Sequence, residues 1–264
     1  MKNTFKLKEL LAVLEDYAPL SLSYQMIERG DYDNSGLLIE CNEKAERVLF
    51  SLDLSNESVK KAIELNCNAI VTHHPAIYKG VKSLSVNGET KPVIDAVKND
   101  INVISMHLNL DTTEKGIDEL LSNGLGGKNP KILDPLSDKC GYGRQADILP
   151  LSVSEFKDEI SKTFGTDKVI AYGDGAVKKI ASFCGGGASL ALDAVASGKT
   201  DADTIITSDI AHHELKELIE LGKNVVILPH YVSEEYGFNK FYLDIKEKLN
   251  GKAEVYYFLD KRFI

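Results

Sequence analysis

The chain has 264 residues, of which 43% are hydrophobic and 27% are charged. This balance excludes a mainly disordered chain and fits one or two domains with a sizeable core. Lys and Arg number 31 against 40 Asp and Glu, a net charge of −9, which disfavours non-specific binding to nucleic acid or to an anionic membrane.

No targeting or membrane segment is predicted. No apolar run approaches the ~18–20 residues of a membrane span, and residues 1–10 lack the small-residue cleavage site of a secretory signal. The four cysteines lie far apart and form no CxxC pair, so we expect reduced, structural thiols. We therefore expect a cytoplasmic protein that does not bind membranes.

Hydrophobic spacing predicts strands and helices in alternation along most of the chain. The predicted helices are 5–16, 57–65, 92–98, 114–121, 152–163, 188–196, 211–221 and 234–249. The predicted strands are the apolar run 37–39, then 47–54, 69–72, 102–106, 168–172, 178–184, 204–207, 224–228 and 253–259. Residues 123–150 are rich in turn residues and predict a linker or a change of sheet. The alternation is typical of an α/β fold, although it does not give the sheet order.

All six histidines follow the predicted strands closely. They are His73, His74, His107, His212, His213 and His230. Carboxylates accompany them, because Asp209 ends its own strand, Asp111 lies four residues after His107, and Glu234 lies four residues after His230. Ligands of α/β sheets bind outside the carboxyl ends of the strands. The pattern therefore predicts a site rich in imidazole and carboxylate at such an edge.

These side chains favour a metal site. Imidazole and carboxylate without thiolate suit zinc, iron or manganese, and the set exceeds the three or four ligands that one ion needs. The surplus indicates two divalent ions, roughly 3.5–4 Å apart and bridged by a carboxylate, for which Glu234 is the candidate. A single histidine is more often an ordinary hydrogen-bonded residue. We prefer that interpretation for His212, since only one of His212 and His213 can easily face a site.

The glycine-rich segment 184–189 leaves two interpretations open. It follows a predicted strand and opens a helix, so its backbone N–H groups could bind a phosphate. It lacks the Lys-Ser/Thr pair of a P-loop and the spacing of a dinucleotide fingerprint. A tight turn that needs small residues is the simpler interpretation.

Six short motifs, taken in order, also resemble those of one protein family. Residues 32–37, 72–75, 107–111, 184–188, 207–213 and 230–234 are similar to WDNxGL, THHP, HTNLD, CGGSG, TGDxxxH and GHYxSE segments. The family comprises the NIF-three-like, dinuclear-metal-centre hexameric proteins, some of which are called GTP cyclohydrolase I of the second type. This chain departs from the pattern at Tyr32, which replaces tryptophan, and at Ser208 and Pro229, which replace glycine. None of these changes removes a ligand.

The resemblance implies a fold of two α/β lobes with mixed sheets flanked by helices. Residues 1–125 and 226–264 would form the metal lobe, and residues 126–225 the second lobe. The implied metal ligands are His73, His74, Asp111, His230 and Glu234, with Glu234 bridging. His107 and His213 would lie in or near the site. The resemblance further implies a toroidal homohexamer whose sites face an inner cavity.

The leading functional hypothesis is a dinuclear metal-dependent hydrolase. His107 or His213 could move protons, because imidazole titrates near working pH. A nucleotide such as GTP is the substrate on the resemblance alone. Two alternatives remain: a metal-binding or metal-delivery protein without turnover, and a regulatory interaction protein in which the ions only stabilise the fold. Nucleic acid is the partner that the charge balance favours least.

Overall fold

The computed structural model describes residues 4–264, so the first three residues of the N-terminal segment considered above lie outside the described part. The helices are α1 (Leu7–Tyr17), α2 (Leu20–Glu28), α3 (Asn56–Glu64), α4 (Lys91–Lys98), α5 (Leu108–Thr112), α6 (Ile117–Gly124), α7 (Val153–Phe164), α8 (Ala188–Ala196), α9 (His212–Glu220) and α10 (His230–Lys248). The strands are β1 (Gly36–Ile39), β2 (Arg47–Ser51), β3 (Ala69–Thr72), β4 (Asn102–Ser105), β5 (Lys128–Pro135), β6 (Gly141–Ser152), β7 (Ile170–Tyr172), β8 (Ala176–Ser182), β9 (Thr204–Thr207), β10 (Asn224–Ile227) and β11 (Glu254–Phe258). Within residues 4–264, no helix combines the length and apolar character that crossing a bilayer requires.

The first compact unit runs up to Leu110 and includes Asn239–Lys261. Its five-stranded sheet has the order β1-β4-β3-β2-β11, in which β1 is antiparallel to β4 and the other pairs are parallel. Every residue of β3 and β4 is buried, as parallel strands covered on both faces require. Thr72 pairs with Ser105, so the residues that follow both strands leave the sheet at the same edge.

The second compact unit comprises Asp111–Phe238 and Arg262–Ile264. Its six-stranded sheet has the order β5-β6-β8-β9-β10-β7. The strands β8, β9 and β10 are parallel, whereas β5, β6 and β7 each join by antiparallel pairing. The two mixed sheets with their helices confirm the predicted α/β class.

Residues 123–150 form the predicted change of sheet and not a linker, the other alternative. They contain the end of α6, all of β5 and most of β6, and β5 and β6 are the first strands of the second sheet along the chain. Pro130 and Pro135 are tolerated because β5 is an edge strand. Pro150 lies where the register between β6 and β8 is interrupted, between Asp147 and Leu151. These prolines therefore mark an edge strand and a bulge.

Two helices have no counterpart among the predicted elements. The predicted helix 5–16 is followed closely by Pro19, the N-cap residue of α2. The helix α5 has five residues, too few for a 3.6-residue period to show. It carries Asp111. The boundaries between the two compact units fall inside α5 and α10. The lobe division at 125/126 and 225/226, which the family resemblance implies, stays a prediction.

Candidate functional site

Three histidines converge at the sheet edge of the first unit. His73 and His74 directly follow β3, and His107 lies just beyond β4. The candidate ligand nitrogens of these three side chains all lie within 4.8 Å of one another. The backbone N–H groups of His73 and His74 both donate to the carbonyl oxygen of Leu52, each at 3.0 Å. The chain has therefore left the strand conformation, in which neighbouring side chains would point to opposite faces.

Each of these histidines donates a hydrogen bond through Nδ1. The acceptors are the carbonyl oxygen of Met106 for His73, Asp53 Oδ1 for His74 and Asp33 Oδ1 for His107, each at 2.7 Å. A carbonyl or a carboxylate only accepts, so Nδ1 carries a proton, and in the neutral ring the lone pair is on Nε2. Metal-binding histidines are typically held in this way. Asp53 follows the end of β2, so the strand-end argument could have found it.

Asp33 is the most strongly held of these acceptors. It is buried, and it accepts hydrogen bonds from Ser23, from Ser35 at 2.6 Å and from His107. Burial alone would raise its pKa, but the hydrogen bonds from His107, Ser23 and Ser35 outweigh burial and lower the pKa to about 2. The carboxylate is therefore ionised at neutral pH and fixes the orientation of His107.

We expect Asp33→Asn to lower the free energy of unfolding by about 2 kcal/mol at pH 7. The native pKa of about 2 lies below the ordinary value of 3.8, so the contribution of the carboxylate is present above pH ~4 and is lost as pH falls through ~2. Urea unfolding between pH 2 and 7 measures this. An equal loss at both ends of the range would contradict it.

In the second unit, α10 begins with His230 and carries Glu234 one turn later. His230 Nδ1 lies 2.7 Å from Asp209 Oδ2, and its Nε2 lies 3.0 Å from Glu234 Oε1. Since Nδ1 donates to Asp209, Nε2 can donate to Glu234 only when the ring is an imidazolium. A divalent cation bound to both atoms would supply that positive charge instead. This is the fourth histidine with the Nδ1 arrangement seen in the first unit.

The turn between β8 and α8 contacts the carboxylates of the second unit. The Cys184 thiol donates to Asp111 Oδ1 at 3.6 Å, and burial, aided by the nearby charge of Asp111, raises the Cys184 pKa well above its ordinary value. The cysteine therefore stays a thiol and donates. Gly185 has a φ of +53°, and a Cβ placed there would lie 2.3 Å from Glu234 Oε1. The first glycine of the turn thus permits the close approach of Glu234.

A buried ion pair supports the same turn, and sequence reasoning missed it. Asp118 Oδ2 lies 3.1 Å from Arg144 Nη1, and Asp118 Oδ1 accepts the Cys184 N–H at 3.2 Å. Both side chains are at most 1% exposed. Burial raises the Asp118 pKa to about 6, although Arg144 partly opposes the rise.

The geometry supports the predicted proton-transfer role of His213 less than that of His107. His212 and His213 are exposed in the first turn of α9. In the part of the chain that the structure describes, no hydrogen bond or ion pair joins His213 to Asp209, His230 or Glu234. A catalytic role for His213 stays a prediction, as does the ligand set His73, His74, Asp111, His230 and Glu234.

The fold and these strand-edge clusters define an α/β protein with candidate metal ligands. The sequence pattern of the Duf34/NIF3 (NGG1p interacting factor 3) family matches residues 5–261, and the chain belongs to this family, which confirms the resemblance. It is 31% identical over 258 residues to a Clostridium perfringens protein named GTP cyclohydrolase 1 type 2 homolog, with 94% of each chain covered.

Solved structures are also similar to this chain. A Staphylococcus aureus hypothetical protein has a TM-score of 0.85 and 26% identity, with 98% of this chain and 97% of that chain covered. A Bacillus cereus protein related to NIF3 has a TM-score of 0.87 and 18% identity, with 98% of each chain covered. At that identity the second likeness shows the fold alone.

Proposed function

We propose that the protein is a dinuclear metal-dependent hydrolase that acts on a nucleotide. The observation that carries the metal part is the shared state of four strand-end histidines. His73, His74, His107 and His230 each present Nδ1 to a carbonyl or carboxylate oxygen at 2.7 Å. A histidine that donates its second ring N–H to a carbonyl or carboxylate oxygen is typical of metal sites, which supports the proposal.

The proposed ligands of two divalent ions are His73, His74, Asp111, His230 and Glu234, with Glu234 bridging. The donor atoms are imidazole nitrogen and carboxylate oxygen, which suit zinc, iron or manganese. When bound, such ions lower the pKa of a coordinated water to about 7 and polarise the scissile group. His107 lies beside His73 and His74, and in the neutral ring its Nε2 would accept a proton because Asp33 holds the ring proton on Nδ1. His213 is the second candidate for proton transfer.

The nucleotide part rests on the family. Curated relatives are named GTP cyclohydrolase 1 type 2 homolog, and GTP is accordingly the substrate to test first. The further expectations of a homohexamer, and of no nucleic-acid or membrane partner, belong to the same proposal.

The metal content of the purified chain tests the proposal first. We expect about two divalent ions per chain by elemental analysis, on protein prepared without chelator or metal-affinity tag. Glu234→Ala should lose most of that metal, and Glu234→Gln should lose GTP hydrolysis. Glu217→Gln, at an exposed position of α9, is the matched control and should retain both the metal and GTP hydrolysis.

Three outcomes separate the hypotheses. Little metal in the wild-type protein, with none regained on soaking, would overturn the metal centre. Full metal with no nucleotide hydrolysis, and ready transfer of the metal to a competing apo-enzyme, would favour metal delivery. Full hydrolysis in Glu234→Gln would refute the assigned role of Glu234.

A further inference from the structure

The loop that follows β3 holds an exposed aromatic side chain next to the histidine cluster of the first unit. The Tyr78 ring is 43% exposed, and its centroid lies 6.1 Å from that of His107. Neither the metal ligands nor the proposed proton transfer uses this residue. An exposed ring at this distance from a candidate proton acceptor is suited to holding a flat substrate group.

Two contacts fix the position of Tyr78. Its hydroxyl donates to the carbonyl oxygen of Tyr32 at 3.1 Å, and the two rings pack edge to face with centroids 4.9 Å apart. The Asn34 amide donates to the carbonyl oxygen of Ile77 at 2.5 Å. The loop is therefore tied to the segment that also supplies Asp33, the partner of His107, so the ring is placed before a ligand arrives.

A cavity of about 520 Å³ opens beside Tyr78, between this loop and the start of α4. This volume falls within the range of small-molecule sites, about 300–1,000 Å³. Lys79 and Lys82 line the cavity, and Glu89 is the one acidic residue among its described lining. Neither lysine takes part in an ion pair within residues 4–264. On a chain of net charge −9, a cavity with an excess of lysine favours an anionic ligand.

We propose that Tyr78 stacks on the base of a nucleotide whose phosphates lie against Lys79 and Lys82. The class of ligand rests on the proposed function, whereas the pocket rests on the ring, the cavity and the two lysines. A base stacked on an aromatic side chain gains about 1–3 kcal/mol, and a lysine ammonium is a common phosphate partner. The stacked base would lie next to His107, where a proton acceptor is needed.

Calorimetric titration of the whole chain with GTP and with guanosine tests this pocket. Tyr78→Ala should weaken both ligands by about 5- to 150-fold. Tyr78→Phe should bind both more tightly than Tyr78→Ala does, because it keeps the ring and loses only the hydroxyl contact with Tyr32. The double variant Lys79→Ala/Lys82→Ala should weaken GTP by about tenfold or more and leave guanosine unchanged. The controls are Tyr24→Ala, another exposed tyrosine, and Lys60→Ala, an exposed lysine of α3; both should bind as the wild type does.

The outcomes distinguish this pocket from the proposed function. If GTP is never hydrolysed but binds in a Tyr78-dependent way, the hydrolase proposal fails and the pocket stands. If GTP is hydrolysed with the same KM in Tyr78→Ala and in the wild type, the pocket is overturned. Absence of GTP binding by the wild-type chain also overturns it. So does a change in oligomer size in Tyr78→Ala with unchanged affinity, because the ring would then serve contacts between chains.

Discussion

Replacing Arg144 with methionine is expected to lower the free energy of unfolding by about 3–5 kcal/mol at neutral pH. Arg144 is 1% exposed and Asp118 is fully buried. The guanidinium also donates to the carbonyl oxygens of Gly141 and Gly143, at 2.8 and 3.3 Å. Methionine fills much of the space but leaves the Asp118 carboxylate buried without its positive partner. Urea unfolding at constant ionic strength measures the loss.

The free energy of unfolding that Arg144→Met loses should increase with pH, because Asp118 ionises as pH rises. Its native pKa of about 6 lies above the ordinary 3.8, so its contribution to stability is complete below pH ~4 and is lost as pH rises through ~6. Removing Arg144 raises that pKa further. The difference between wild type and Arg144→Met should therefore be larger at pH 8 than at pH 4.5.

A double variant separates charge from packing. Asp118→Asn/Arg144→Met has no buried charge at either position and should recover part of the stability that Arg144→Met loses at pH 8. A loss below about 1 kcal/mol for Arg144→Met, or the same loss at pH 4.5 and pH 8, would contradict the assigned role of the pair.

Two features of the sequence predict most about the site: the hydrophobic periodicity, and the position of the histidines just after the predicted strands. They predict the buried strands that deliver His73, His107 and His230, because a parallel sheet needs continuous apolar runs and directs its loops to one edge. The i, i+4 spacing of His230 and Glu234 likewise places both on one turn of a helix. These are local signals, and each is complete within a short segment.

The partners of those residues are not local. Asp33 meets His107 across 74 residues of sequence, and Asp118 meets Arg144 across 26. A charged residue in a helical pattern is ordinarily assigned to the solvent face, so the pattern does not predict that Asp118 is buried. In the structure both Asp118 and its neighbour Ile117 are buried. Only the folded chain shows that these carboxylates orient imidazole and backbone groups. The pairing of side chains across the fold, rather than the type of element, is what the sequence leaves open.

Gly185→Ala is expected to lower metal affinity by about 10- to 100-fold, the effect typical of disturbing groups that orient metal ligands. The added Cβ would lie 2.3 Å from Glu234 Oε1 and 3.2 Å from His230 Nε2. Glu234 is the flexible partner, so its carboxylate must move away from the position expected for a bridging ligand. The left-handed φ of +53° adds about 1–2 kcal/mol of backbone strain.

Gly186→Ala is the matched control, one residue further along the same turn. A Cβ at Gly186 meets no atom within 4 Å, so this variant should keep wild-type metal affinity. Competition titration with a chromophoric chelator gives the affinities, and thermal unfolding of the chelated proteins gives the stability cost separately. If Gly185→Ala loses stability but binds metal as tightly as Gly186→Ala, the turn serves only the fold and Glu234 is not a ligand. A loss of affinity confined to Gly185→Ala would instead show that the glycine is needed for the position of Glu234, because only the methyl group at residue 185 meets that carboxylate. The backbone strain from the positive φ of Gly185 is measured separately, as the loss of stability in the chelated protein.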